Sequence, residues 1–200
     1  MLNHDPKAKA LLNIYQEFCD HAQIFLGYGA VLGLVRDGEL MAHDNSIEFF
    51  ARFEDWTIHT QTVFAIESEG RAAISHMECD NRYGREKWVL ISEGFRFAIV
   101  AWHDKGRYRV RRYLRLPQRM WTGESLSVGN SLVSVLSPVE EYLSWQYRDW
   151  RTPVPPGISS LHYFGRKCLR QPRQVLYFRK LVSSATRRLG LAAISRRIEL

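Results

Sequence analysis

Apolar residues recur at helical spacing from the start of the chain. Ala10, Leu11, Ile14, Tyr15 and Phe18 follow the helix-start pair Asp5-Pro6 and predict a helix from Pro6 to His21 with one face on a core. The short run Ile24-Phe25-Leu26-Gly27 leads into Tyr28 to Arg36, which reads as a strand, a glycine turn and a helix closed by Asp37-Gly38. Ser46 to Phe53 reads as a strand and Trp56 to Ile66 as a second helix. Strand-like runs follow at Arg71 to Met77, Lys87 to Ser92, Phe95 to Trp102, Tyr108 to Leu116 and Leu132 to Leu136, separated by turn dipeptides such as Glu93-Gly94 and Lys105-Gly106. A helix from Pro138 to Tyr147 starts at Ser137-Pro138 with Glu140 and Glu141 in its first turn, and the prolines beyond Asp149 stop it. Helices, hairpin-spaced strands and more helix predict an α+β domain.

Composition narrows the function classes. Two hundred residues with 46% hydrophobic and 24% charged positions suffice for one compact domain with a core. No run of eighteen apolar residues and no secretory signal stretch is present, so a cytoplasmic location is expected. Cys19, Cys79 and Cys168 are scattered, without the spacing of a zinc site, and read as reduced, packed thiols.

The net charge of +7 is unevenly placed. Residues 166–200 hold ten Lys or Arg against one acid and carry +9, which leaves −2 for residues 1–165. The chain therefore divides at about Gly165 into a slightly acidic body and a basic tail. Within the tail Val175, Phe178, Val182, Ala185 and Leu189 make one helix face apolar, while Arg173, Lys180 and Arg187 lie nearly opposite. Such a helix suits an anionic membrane surface, which would make the protein peripheral on the inner face of the cytoplasmic membrane; the alternative is packing on the body or on a second subunit. Tyr108 to Arg115 interleaves cations with aromatics, but the acidic body and the lack of an RNA-module motif speak against a nucleic-acid partner.

Two segments carry a family likeness. In the first, Phe25-Leu26, Gly29, Leu32-Gly33, Val35-Arg36, Gly38 and the run His43-Asp44-Asn45-Ser46-Ile47-Glu48 occur without a gap. In the second, Pro138-Val139-Glu140-Glu141-Tyr142-Leu143 leads to Tyr147, Asp149, Trp150 and proline, with Arg148 at a position where glycine is usual. Together these segments resemble the LicD/fukutin family of phosphotransferases. The resemblance implies a nucleotidyltransferase-like mixed sheet with flanking helices, here followed by the basic amphipathic tail. It also implies transfer of a phosphocholine- or phosphopolyol-type group from a CDP-linked donor to a glycan hydroxyl, with Mg²⁺ or Mn²⁺.

The residues suit that chemistry on independent grounds. A glycine turn at a helix start exposes N–H groups to phosphate oxygens, so Gly29, Ala30 and Gly33 are candidate phosphate-binding positions, with Arg36 as a planar cation beyond them. Asp44, Ser46 and Glu48, read as alternate positions of one strand, would project together; the resemblance puts the metal pair at Ser46 and Glu48, so a hydroxyl stands where one carboxylate is expected, and Asp44 with Glu48 are the candidate metal carboxylates with Ser46 in their shell. His43, and more remotely His103, are candidate bases. Plainer roles stand beside these: Gly29 and Gly33 as packing glycines, Arg36 as a surface cation, and Tyr147, Asp149 and Trp150 as structural residues or substrate contacts. The family pattern also places a carboxylate on a later strand, where this chain has Ala98. A non-catalytic relative acting as a scaffold in glycan assembly is the alternative reading.

Overall fold

The computed structural model describes residues 5–79, 86–111, 114–147 and 149–153. The predicted boundary at Gly165 and the basic tail lie outside them. The first helix, α1 (Pro6–Cys19), begins as expected: the Asp5 carboxylate accepts the Lys7 N–H at 2.8 Å, and Pro6 occupies a position where a missing N–H costs nothing. Its apolar stripe, Ala10, Leu11, Ile14 and Phe18, is buried.

Strand β1 (Ile24–Leu26) then runs through Gly27 directly into α2 (Tyr28–Arg36). After a loop come β2 (Ile47–Arg52), a 3₁₀ turn (Phe53–Asp55), α3 (Trp56–Ser68), β3 (Ala73–Glu78), β4 (Lys87–Ser92) and β5 (Phe95–Asp104). The single strand expected from Tyr108 to Leu116 is instead a hairpin, β6 (Tyr108–Arg111) and β7 (Leu114–Pro117), paired through Arg111 and Leu114. Two further strands, β8 (Glu124–Val128) and β9 (Ser131–Val135), precede α4 (Val139–Tyr147).

Nine strands of the described residues form one mixed sheet with the order β3-β4-β5-β2-β1-β9-β8, and the β6–β7 hairpin extends from β5. β2 runs parallel to β5, and β1 parallel to β9; the other pairs are antiparallel. The α+β architecture predicted from the pattern, and the mixed sheet with flanking helices that the resemblance implies, are what the chain forms. Among the described residues no helix is long and apolar enough to cross a membrane.

The central strands read as continuous apolar runs because both faces of the sheet are covered. On β2, Phe49 faces α1, where Tyr15 lies 6.2 Å from it, ring to ring. Phe50 faces the other way, into a cluster of Tyr28, Trp102, Trp121 and Tyr142. Alternation along β2 therefore puts Glu48 on the Phe50 face, at the strand's start. Packing on this face fixes where the start of α2 lies relative to that carboxylate.

Candidate functional site

The site is built where β1 hands over to α2. The Gly27 N–H donates to the Glu48 carbonyl at 2.9 Å, so the helix starts beside the first residues of β2. A Cβ on Gly27 would stand 2.5 Å from the Phe50 ring, which only glycine avoids. Tyr28 takes a φ of 47°, a left-handed conformation that costs a bulky residue energy and has to be held by its surroundings. Its ring meets Phe50 edge-on at 4.7 Å, and its N–H donates to the Tyr142 hydroxyl at 2.8 Å. Tyr142 is fully buried, and burial pushes its phenol well above the usual tyrosine range. The two segments that carry the family likeness thus meet in one hydrogen bond.

The carboxylates are arranged differently from the sequence expectation in one respect. Neither Asp44 nor Ser46 is on the strand with Glu48, because β2 and its ladder pairing start only at Ile47, opposite Phe97. Asp44 belongs to the preceding loop, which Lys7 holds from α1 by donating to the carbonyls of Met41 (3.0 Å) and Asp44 (2.6 Å). The Asp44 carboxylate accepts the Ser46 N–H at 3.3 Å, and the Ser46 hydroxyl donates to Glu48 at 2.8 Å. These contacts gather Asp44, Ser46 and Glu48 without a shared strand. Burial pushes the carboxyl pKa of Asp44 up, opposed by the Ser46 N–H and by the charges of Lys7 and His43. Burial raises that of Glu48 too; the Ser46 hydroxyl opposes it and the Asp44 charge adds to it. His43 is exposed beside them.

The glycines of α2 divide by what they touch. A Cβ on Gly29 would lie 2.2 Å from an Asp44 carboxylate oxygen, so this glycine admits the carboxylate to the first turn of the helix. Ala30, next to it, is buried. A Cβ on Gly33 would lie 2.6 Å from the Glu39 backbone carbonyl, which makes Gly33 a packing residue under the 39–41 loop. Gly33→Ala is therefore expected to cost about 1–3 kcal/mol of stability by overpacking, whereas in Gly29→Ala the Asp44 side chain can swing aside at smaller cost to folding. Urea unfolding of the two variants checks this ordering.

Arg36 is not brought to the carboxylates. It ends α2, about 10 Å along the helix from Gly29 at the usual rise, and pairs bidentately with Asp37 at 2.8 and 2.6 Å. His103 lies on the opposite sheet face from Glu48 by strand alternation, stacked 4.0 Å from the Phe53 ring and bonded to the buried Glu86 carboxylate at 2.7 Å. Trp150 is buried, donates to the Ser144 hydroxyl at 3.2 Å and lies under Arg151, while exposed Asp149 accepts from Thr152 at 2.8 Å. Tyr147, half-buried, packs on the core at the end of α4. Arg173, Lys180 and Arg187 lie outside the described residues.

Glu48 is directly opposite Ala98 on β5, and Ala98 is 1% exposed. Among the described residues no three His, Cys, Asp or Glu side chains are gathered as a metal site. The donor chemistry of Asp44 and Glu48 nevertheless fits one Mg²⁺ or Mn²⁺, since such an ion takes one or two carboxylates and completes its shell with water and phosphate oxygens. Sequence reasoning missed Lys7 and Tyr142, whose roles come from contacts 37 and 114 residues away in the chain. It also missed Lys87 and Arg111, whose charges act on Glu48.

No protein-family model matches the chain, and no curated protein matches it in sequence. Among solved structures it is similar to the antibiotic-resistance factor ANT(2'')-Ia in solution, at 13% identity and a TM-score of 0.46, covering 92% of this chain and 95% of that one. The crystal structure of ANT(2'')-Ia with adenylyl-2''-tobramycin gives 14% identity, a TM-score of 0.44 and coverage of 94% and 98%. A putative nucleotidyltransferase from Thermotoga maritima gives 13% identity, a TM-score of 0.44 and coverage of 71% and 84%.

Proposed function

We propose that the chain is a nucleotidyltransferase-type phosphotransferase, moving a phosphocholine- or phosphopolyol-type group from a CDP-linked donor to a hydroxyl of a surface or lipid-linked glycan. The observation that carries this reading is the seating of the Asp44 carboxylate at the first turn of α2, where Gly29 has no side chain to exclude it, and its linkage through Ser46 to Glu48. Asp44 and Glu48 would hold Mg²⁺ or Mn²⁺, and Ser46 orients Glu48 by its hydrogen bond. Bound metal would supply neutralisation of the charge on the donor's diphosphate bridge as its P–O bond breaks and cytidine monophosphate leaves. The chain's own part is to present the first-turn N–H groups of α2 to phosphate oxygens and to keep both carboxylates on one side of the sheet. The tail residues Arg173, Lys180 and Arg187 would bring the domain to an anionic membrane surface where lipid-linked acceptors reside.

Ala98 favours one alternative. With an alanine where a third carboxylate would help take the acceptor's proton, the domain would serve as a ligand-binding scaffold in glycan assembly without turnover. The test common to both is calorimetric titration of cytidine nucleotides in the presence of Mg²⁺ or Mn²⁺ into the full chain and into Asp44→Asn, Glu48→Asn. Metal-dependent nucleotide binding that falls by about a hundredfold or more in the variant is expected, since two half-buried charge partners of the ion are removed. Equal binding by both proteins, or none at millimolar nucleotide, overturns the transferase reading.

A further inference from the structure

The face of the sheet that presents Glu48 also presents cations. Lys87 opens β4 opposite Val100, which is two residues along β5 from Ala98 and therefore on the same face. Arg111 closes β6 and is 8% exposed; with Val110 opposite His103, it falls level with Trp102 on the face of β5 that carries Ala98, and its charge acts on Glu48 and Lys87. Arg96, exposed on β5, adds a third positive charge toward Lys87. The negative groups nearby are Glu78, directly across the ladder from Lys87, Glu48, and Asp44 beyond it. Between the strands that carry these groups, the position nearest Glu48 is the small Ala98.

This arrangement has a physical consequence. Two cations within reach of one half-buried carboxylate repel each other, and the repulsion is relieved when an anion lies between them. A carboxylate at position 98 would instead have made the face acidic and suited to more than one divalent ion. A guanidinium offers a phosphate group a planar pair of donors, and an ammonium adds a point charge.

We propose that Lys87 and Arg111 bind a diphosphate group directly, beside the Asp44–Glu48 carboxylates, so that two side-chain cations take over neutralisation for which this chain lacks a carboxylate at Ala98. The inference deepens the reading of the same site and rests on it for the class of ligand. No bond is made or broken in this step; it is binding alone.

The test is titration of inorganic pyrophosphate into the full chain in EDTA at low ionic strength, with unfolding midpoints recorded for each variant. Lys87→Met is expected to weaken binding about tenfold or more, and Arg111→Lys, which keeps the charge but loses the planar fork, to weaken it severalfold. The basic tail is identical in every protein compared, so only the difference between variants reports this face. Pyrophosphate affinity unchanged in a folded Lys87→Met, or absent from the parent chain at millimolar ligand, overturns the proposal. Should Arg111→Lys fail to fold, Lys87→Met alone decides. Pyrophosphate binding in EDTA with no metal-dependent nucleotide binding would sink the transferase reading and leave this site standing; the reverse pair of results would sink only this site.

Discussion

Phe50→Ala is expected to lower the stability of the domain by about 3–5 kcal/mol and to abolish ligand binding at the carboxylates even where the chain still folds. Phe50 is fully buried on β2, two residues beyond Glu48 and on the same face. Its ring touches four others: Tyr28 at 4.7 Å, Trp102 at 5.3 Å, Tyr142 at 6.0 Å and Trp121 at 6.3 Å, centroid to centroid. It also fills the space that Gly27 leaves free. Removing it forfeits the transfer energy of a whole aromatic side chain and leaves a cavity lined by rigid rings that cannot collapse readily. The functional loss follows from Tyr28. That residue is held in a left-handed conformation by the Phe50 ring on one side and by the Tyr142 hydroxyl on the other, and without the ring the start of α2 is free to relax. Equilibrium urea unfolding measures the first effect. A loss below about 1 kcal/mol would show that the cluster repacks around the gap and that Phe50 is not what positions the helix start.

The parts of this molecule that could be read from the sequence are those whose signals are local. Helix α1 announced itself through Asp5-Pro6 and a clean apolar stripe, and both end residues do what their chemistry predicts. Strands β4 and β5 were legible because Glu93-Gly94 separates two apolar runs, and Glu93 and Gly94 both adopt positive φ in the turn. The hairpin of β6 and β7 was not legible. Tyr108 to Leu116 holds no glycine or proline, and the break in its alternation at Arg111-Arg112 and Tyr113-Leu114 is a weak turn signal between two short strands. Strand β8 was missed for a different reason. Glu124 to Val128 alternates serine with few apolar residues, and it belongs to the sheet as an edge strand paired only with β9 among the described residues. There Glu124 accepts from the Ser137 hydroxyl and the Val139 N–H, so a strand residue caps a helix that the sequence pattern assigned to Ser137-Pro138 alone.

The site shows the same division. Gly29 and Asp44 could be picked out as site positions from the motif, and Ala98 as a position where the family pattern has a carboxylate, although the contact of Gly29 with Asp44 and the pairing of Ala98 with Glu48 come from the fold. Lys87 could not, since its relation to Glu48 is set by two ladders, β4 on β5 and β5 on β2, neither of which leaves a trace in a single sequence. The loop position of Asp44 was likewise hidden. Reading alternate residues as a strand was reasonable, but Lys7 anchors the loop by two backbone carbonyls and so lets a loop carboxylate do what a strand position would have done.

The second large effect concerns acid. His59, on α3, is 0% exposed, and its ring lies 5.8 Å from that of Phe18. Among the described residues neither ring nitrogen has a hydrogen-bond partner. Burial holds its pKa down to about 4, with Asp55 opposing the shift only weakly. In the unfolded chain the same imidazole titrates near its ordinary value of about 6.5, so between these two values the unfolded state binds a proton that the folded state refuses. Stability contributed by neutral His59 is therefore complete above pH 6.5 and is lost as the pH falls toward 4. Linkage puts the loss at about 2 kcal/mol by pH 5 and about 3 kcal/mol by pH 4. Other groups titrate in the same range, so the comparison that isolates His59 is with His59→Leu, which keeps an apolar side chain of similar volume and cannot take a proton. The stability gap between variant and parent, measured by urea unfolding at pH 7.5, 6 and 5, is expected to shift in the variant's favour by about 2 kcal/mol from the first to the last. A gap that stays constant with pH would mean that the folded protein accommodates the charged ring, and that α3 is not packed against α1 as closely as the Phe18 contact requires.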